Sequence, residues 1–168
     1  MKQIFLFSIA VAAAVLVIGC APTGPTPEQM ITEAKAVDQR FFEAYNNGDV
    51  DGLMATYWNS PDLVSYPPGE LEIHGWDAVK ESFAKGIDEM KGAKLEFIEP
   101  GYKVAGDVVL SWGKWRWTSP PGSEPAMEFI GRYTDVKAMR DGKMVYIMDH
   151  ASAPMPPPPD SPASNSGS

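Results

Sequence analysis

The chain has 168 residues, with 22 Asp and Glu against 14 Lys and Arg, a formal net charge of -8 and one cysteine. That acidity excludes a protein that seeks nucleic acid or anionic lipid by charge. A single thiol excludes an internal disulfide, so the fold must rest on its core, and the length suits one domain.

In chain order, Met1-Lys2 supplies a short positive start, and every residue from Ile4 to Ile18 is apolar except Ser8. That run falls short of the roughly 20 residues a membrane-spanning helix needs and suits the apolar stretch of a secretory signal. Val17-Ile18-Gly19-Cys20 resembles the bacterial lipobox: two aliphatic residues, a small one, and the cysteine that becomes a lipid-bearing N-terminus. The expectation is a signal peptide over 1–19, lipid attachment at Cys20 and a membrane anchor worth about 0.8 kcal/mol per buried methylene. Ala21 follows; in Gram-negative sorting an aspartate there retains the protein at the inner membrane, so alanine points to the outer membrane, facing the periplasm. Losing Lys2 with the signal moves the formal charge from -8 to -9.

Residues 20–28 read as a Pro/Gly/Thr tether, 29–153 as the folded domain, and 154–168, with six prolines between Pro154 and Pro162, as a disordered Pro/Ser-rich tail. Thr26-Pro27-Glu28 is a helix start signal, and Met30, Ala34, Val37, Phe41 and Ala44-Tyr45 form one apolar face. Asn46-Asn47-Gly48 ends that helix. Asp49 caps a shorter helix with Val50, Leu53, Met54, Tyr57 and Trp58 inward. Short strands are expected near 63–66 and 70–74, then a helix over 76–91 with Val79, Phe83, Ile87 and Met90 inward. Four long strands follow at 95–104, 108–118, 127–139 and 144–153, the first kinked at Pro100-Gly101, with Gly106-Asp107 and Asp141-Gly142 as hairpin turns. The sum is an α+β fold in which helices cover one face of a bent sheet.

Phe41-Phe42-Glu43-Ala44-Tyr45-Asn46-Asn47-Gly48-Asp49-Val50-Asp51-Gly52, the run Gly131-Arg132-Tyr133-Thr134-Asp135-Val136, Arg140-Asp141-Gly142-Lys143 and Asp149-His150-Ala151-Ser152 resemble the nuclear transport factor 2-like superfamily. This superfamily includes ketosteroid isomerase, SnoaL-like polyketide cyclases and the association domain of calcium/calmodulin-dependent kinase II. The resemblance implies a cone-shaped roll, with three helices packed on a curved antiparallel sheet and a pocket at the wide end. It also implies a homodimer through the outer sheet face. Against ketosteroid isomerase, Tyr66 falls at the base position in Val64-Ser65-Tyr66-Pro67, Phe41 at the oxyanion tyrosine and Asp135 at the third partner. Tyrosine is a poor base at neutral pH and phenylalanine cannot donate, so steroid isomerisation by that mechanism is not expected.

Strand alternation puts Tyr133, Asp135 and Lys137 on one face. Trp115 and Trp117 share a face with Gly113, which is expected to leave space above the sheet, while Trp112, Lys114 and Arg116 share the other. The expected ligand-binding set is Trp115, Trp117, Tyr66, Tyr133 and Asp135, around a small, mainly apolar molecule. The catalytic candidates are Asp135 with His150 or Asp149 as acid and base, and Tyr66 as a donor. Asp149 and His150 are neighbours in a strand, so both cannot enter a pocket without a bulge. Two isolated histidines without His-x-His or His-x-x-x-His spacing give no metal site, and no phosphate loop or nucleophile elbow occurs, so no cofactor is expected. Three readings stay open: a lipid-anchored binder of a small apolar molecule, an isomerase, cyclase or hydratase, and a dimeric interaction module whose cone is filled and whose outer face exposes an apolar patch around Trp112.

Overall fold

The computed structural model describes residues 24–154. The lipobox, the signal peptide and the tail from Met155 onward lie outside these described residues. Helix α1 spans Pro27–Asn47 and opens with a reciprocal capping box. The Thr26 side chain accepts from Gln29 N, and the Gln29 side chain accepts from Thr26 N. The helix closes at Gly48, where φ is 70° and a side chain would be strained. Helix α2 (Val50–Met54) is capped by Asp49, whose carboxylate accepts from Gly52 N. Then come β1 (Val64–Tyr66), β2 (Ile73–His74), α3 (Trp76–Glu89), β3 (Lys94–Ala105), β4 (Val108–Thr118), β5 (Glu128–Arg140) and β6 (Lys143–Ser152).

The six strands form one sheet in the order β2-β1-β6-β5-β4-β3. It is mixed rather than wholly antiparallel, because β1 pairs with β6 in parallel, Ser65 opposite Asp149. Two irregularities bend it. In β3 the register shifts between Ile98 and Gly101, with Glu99 at φ 53°, where the sequence suggested a kink. In β6 Met148 pairs with Val136 and Tyr146 with Lys137, so Ile147 is an extra residue. This second bulge resets the alternation and brings Tyr146 and Asp149, three residues apart, to the same face.

The concave face of the sheet meets α1, and the core lies between them. Ala34, Val37, Leu53, Leu63 and Val109 are wholly buried, with Phe41, Tyr57 and Tyr146 beside them. Helix α3 behaves differently from its sequence pattern. Only Val79 of its expected face is fully buried; Phe83 and Ile87 are half-buried and Met90 is 42% exposed. Its apolar stripe faces a gap instead of a packed neighbour. The outer face of the sheet mixes exposed apolar side chains, Trp112 and Ile130, with ion pairs. Trp112 is 45% exposed, but around it Lys114 pairs with Glu99 at 2.9 Å and Arg116 with Glu96 at 2.6 Å and Glu128 at 3.6 Å.

Two glycines let aromatic rings lie flat against the concave face. Trp115 rests on Gly131, its cross-strand partner, and Tyr133 lies over Gly113. The room that Gly113 leaves is therefore filled by a ring, which stacks on Phe97 at 4.0 Å. A Cβ at Gly131 would sit 2.2 Å from the Trp115 indole and 2.4 Å from the Ser152 carbonyl oxygen. Gly131→Ala is expected to cost about 1–3 kcal/mol in urea unfolding. Gly86→Ala, where a Cβ meets nothing within 4 Å in mid-helix, is expected to gain about 0.5–1 kcal/mol.

Candidate active site

Where α3 stands off the sheet, a cavity of about 540 Å³ opens between α1, α3, the β1–β2 turn and the concave face. Its walls are aromatic: Phe41 and Tyr45 from α1, Phe83 from α3, Phe97, Trp115, Trp117 and Phe129 from the sheet. The exposed residues Pro68, Glu70, Lys85, Glu89 and Met90 form its rim. Asp135, Asp149, Tyr57 and Tyr146 also line it, and they supply nearly all its buried chemistry.

Asp135 on β5 and Asp149 on β6 are direct cross-strand partners on the concave face. Two carboxyls placed side by side on one face disfavour double ionisation, and a proton on one of them would let it donate to the other, since two carboxylates can only accept. Burial pushes Asp135 well above the usual carboxylate range; Lys137 opposes that shift, while the charges of Asp149 and Asp38 add to it. Burial also raises Asp149, opposed by the hydrogen bond from Tyr57, the Asp135 carboxyl, the Lys137 charge and the hydrogen bond from Ser65. The Tyr57 hydroxyl donates to Asp149 Oδ2 at 2.9 Å, and Ser65 Oγ approaches the same oxygen at 3.4 Å. Burial and the neighbouring carboxylates raise Tyr57 and Tyr146, so both phenols stay protonated and act as donors.

Behind the pair lies a second layer that does not line the cavity. Lys137 Nζ, with no solvent exposure, sits 2.8 Å from Asp38 Oδ1, 2.6 Å from Ser111 Oγ and 3.4 Å from Asp135 Oδ2. Ser111 in turn donates to Asp135 Oδ2 at 3.3 Å. Asp38, on the buried side of α1, accepts from Tyr102 at 2.6 Å and from Tyr146. Two wall groups are left over: Tyr133 Oη and Trp117 Nε1 are buried with no hydrogen-bond partner among the described residues, although the Tyr45 hydroxyl lies beside the indole. Among the described residues no three His, Cys, Asp or Glu side chains converge to hold a metal ion.

The model of the SnoaL-like domain family matches residues 39–147. The chain belongs to the SnoaL-like domain family. No curated protein sequence matches it. Among solved structures it is similar to a candidate dehydratase of the nuclear transport factor 2-like family from Streptomyces avermitilis, at 19% identity and TM-score 0.68, over 78% of this chain and 100% of that one. A nuclear transport factor 2-like superfamily protein from Salmonella enterica aligns at 15% identity and TM-score 0.68, over 80% and 98% of the two chains. A candidate scytalone dehydratase from Novosphingobium aromaticivorans aligns at 14% identity and TM-score 0.65, over 74% and 84%. These likenesses establish the fold of the domain and nothing finer.

Within this SnoaL-like domain, Trp115, Trp117, Tyr133, Asp135 and Asp149 all line the cavity. Tyr66 and His150 do not. They are register partners on the convex face, their rings edge-to-face at 6.1 Å, and His150 is exposed. The alternation that turns Asp149 inward turns His150 outward, and parallel pairing of β1 with β6 then makes Ser65, not Tyr66, the inward residue. Sequence reasoning passed over Asp38, Ser65 and Ser111 and read Tyr57 only as core. Asp38 did leave a signal, since it is four residues after Ala34 and three before Phe41, inside the apolar stripe of α1.

A carboxyl raised by folding binds protons that the unfolded chain has released. Its contribution to stability is present below the unfolded-state value and is lost as pH rises through the folded-state value. Urea unfolding at a series of pH values is therefore expected to show stability declining as pH climbs above the ordinary aspartate value of 3.8. Asp135→Asn, which cannot ionise, is expected to flatten that decline; an equally steep fall in the variant would contradict the assignment.

Proposed function

We propose that the cavity is the active site of an acid–base enzyme of the isomerase, cyclase or hydratase kind. Its substrate is a small, mainly apolar, uncharged molecule bearing a carbonyl or hydroxyl group. The observation that carries this reading is the cross-strand Asp135–Asp149 pair on the floor of an aromatic-walled cavity, placed so that the two can share one proton. Such a pair offers an acid and a base within one substrate's reach, and desolvation moves both toward the working pH of general catalysis. Asp149 takes the role of base, oriented by Tyr57 and Ser65, and the proton held with Asp135 serves as the acid. The negative floor disfavours carboxylate or phosphate ligands, and among the described residues the one cation lining the cavity, Lys85, is at the rim. The unpartnered Tyr133 hydroxyl supports a ligand with a polar group of its own.

The test is proton NMR in deuterated buffer with a panel of neutral cyclic ketones and β-hydroxy ketones, together with any molecule that native mass spectrometry finds retained on protein taken from its own membrane. The expected result is deuterium incorporation or turnover that falls by about 10²–10⁴ in Asp149→Asn. A ligand that binds wild type and Asp149→Asn equally, with no exchange in either, would make the cavity a carrier site and overturn the enzyme reading.

We also infer that the domain is displayed on a membrane through lipid at Cys20, supported by the apolar run ending in Val17-Ile18-Gly19-Cys20. Intact-mass analysis is expected to give a chain beginning at Cys20 and carrying acyl chains. Cys20→Ser is expected to move the protein to the soluble fraction; a soluble wild-type protein with a free thiol would contradict the anchor.

A further inference from the structure

Lys137 is the most enclosed charge in the domain and the cavity chemistry above does not use it. Its side chain has no solvent exposure and none of it lines the cavity. Its ammonium donates to Ser111 Oγ and Asp135 Oδ2 and forms an ion pair with Asp38 Oδ1 at 2.8 Å. The faces of Tyr146 and Tyr102 flank it at 4.3 and 6.0 Å from their ring centroids. Such an ammonium cannot touch a ligand, yet it contacts one member of the carboxyl pair directly and is joined to it again through Ser111. Both of these contacts fall on Asp135 Oδ2.

The charges around it can be counted from every element that packs there. Asp38 comes from α1, Asp135 from β5 and Asp149 from β6. Tyr57, from the segment after α2, Tyr102 from β3 and Tyr146 from β6 are neutral donors. Ser65 of β1 and Ser111 of β4 are the remaining polar groups. Three carboxyls thus share one ammonium, Asp38 sealed behind the cavity floor and Asp135 and Asp149 facing the cavity. We infer that Lys137 is a positioning residue for the carboxyl pair: held by Asp38 and Ser111 behind the cavity floor, it balances the Asp38 carboxylate and leaves Asp135 and Asp149 with a single proton to share. This inference rests on the reading of the pair as the working acid and base, but it makes a statement about charge that needs no substrate to test.

Infrared spectroscopy resolves the carbonyl stretch of a protonated carboxyl from that of a carboxylate. At neutral pH the folded wild-type protein is expected to show one protonated carboxyl, and Asp135→Asn none. Lys137→Met, which leaves three carboxyls without a cation, is expected to show two. Lys137→Met combined with Asp38→Asn removes a charge of each sign and is expected to return the count to one. A count of one in folded Lys137→Met, or of two in the double variant, would overturn the inference. Should the single variant fail to fold, the double variant still decides, and nitrogen-15 NMR of lysine side chains in the unaltered protein adds a second reading: Lys137 is expected as an ammonium at neutral pH, and a neutral amine there would overturn the proposal. Absence of deuterium exchange in the wild-type protein, with these counts as expected, would refute the enzyme reading and leave the role of Lys137 standing.

Discussion

Three carboxyls gathered around one buried ammonium, between α1 and the cavity floor, form the constraint on which the rest of this structure depends. Taking an ion out of water costs several kcal/mol even after the protein relaxes around it, and a chain without disulfides has only its core to set against that cost. The cluster persists because nearly every lone pair and proton in it is engaged. Asp38 accepts from two tyrosines and pairs with the Lys137 ammonium, Lys137 donates to Ser111 and Asp135, and Asp149 accepts from Tyr57. One proton held between Asp135 and Asp149, as proposed above, meets the remaining excess of negative charge. The proton that a catalyst would use is thus the same proton that makes burial of the cluster tolerable.

Geometry follows from this. The bulge at Ile147 is what lets Tyr146 reach Asp38 while Asp149, on the same strand, reaches Asp135. Without the extra residue one of them would face outward and the cluster would lose a donor or a carboxyl. The side of the cluster toward α1 is packed; the side toward α3 opens on the cavity. That asymmetry separates a sealed layer, Lys137 with Asp38 and Ser111, from a layer exposed to ligand, Asp135 and Asp149. Aromatic walls keep water sparse around the exposed layer, and a low local dielectric strengthens every charge interaction there.

Much of this architecture was written in local pattern. The capped start of α1 at Thr26, its stop at Gly48, the four long strands and their two-residue turns all follow from short-range chemistry and lie where the pattern put them. Period-two alternation also placed Tyr133, Asp135 and Lys137 on one face. Illegible features were those set by contacts distant in sequence. The parallel pairing of β1 with β6 decides between Ser65 and Tyr66, and a single-residue bulge in β6 fixes which residues of that strand face inward. The apolar stripe of α3 looked like a core face because an apolar wall around a void and an apolar core have the same periodicity. Asp38 was hidden for a related reason: a lone acid in an amphipathic stripe acquires meaning only when a lysine about a hundred residues later is brought against it.

Carbon-13 NMR of the aspartate side-chain carboxyls, followed through a pH titration of the unaltered protein, bears most directly on this account. It predicts that one carboxyl signal keeps its proton well above the ordinary aspartate range and that this behaviour disappears in Asp135→Asn. If every aspartate loses its proton within the ordinary range, the pair shares no proton, and both the charge balance of the cluster and the chemistry drawn from it are contradicted.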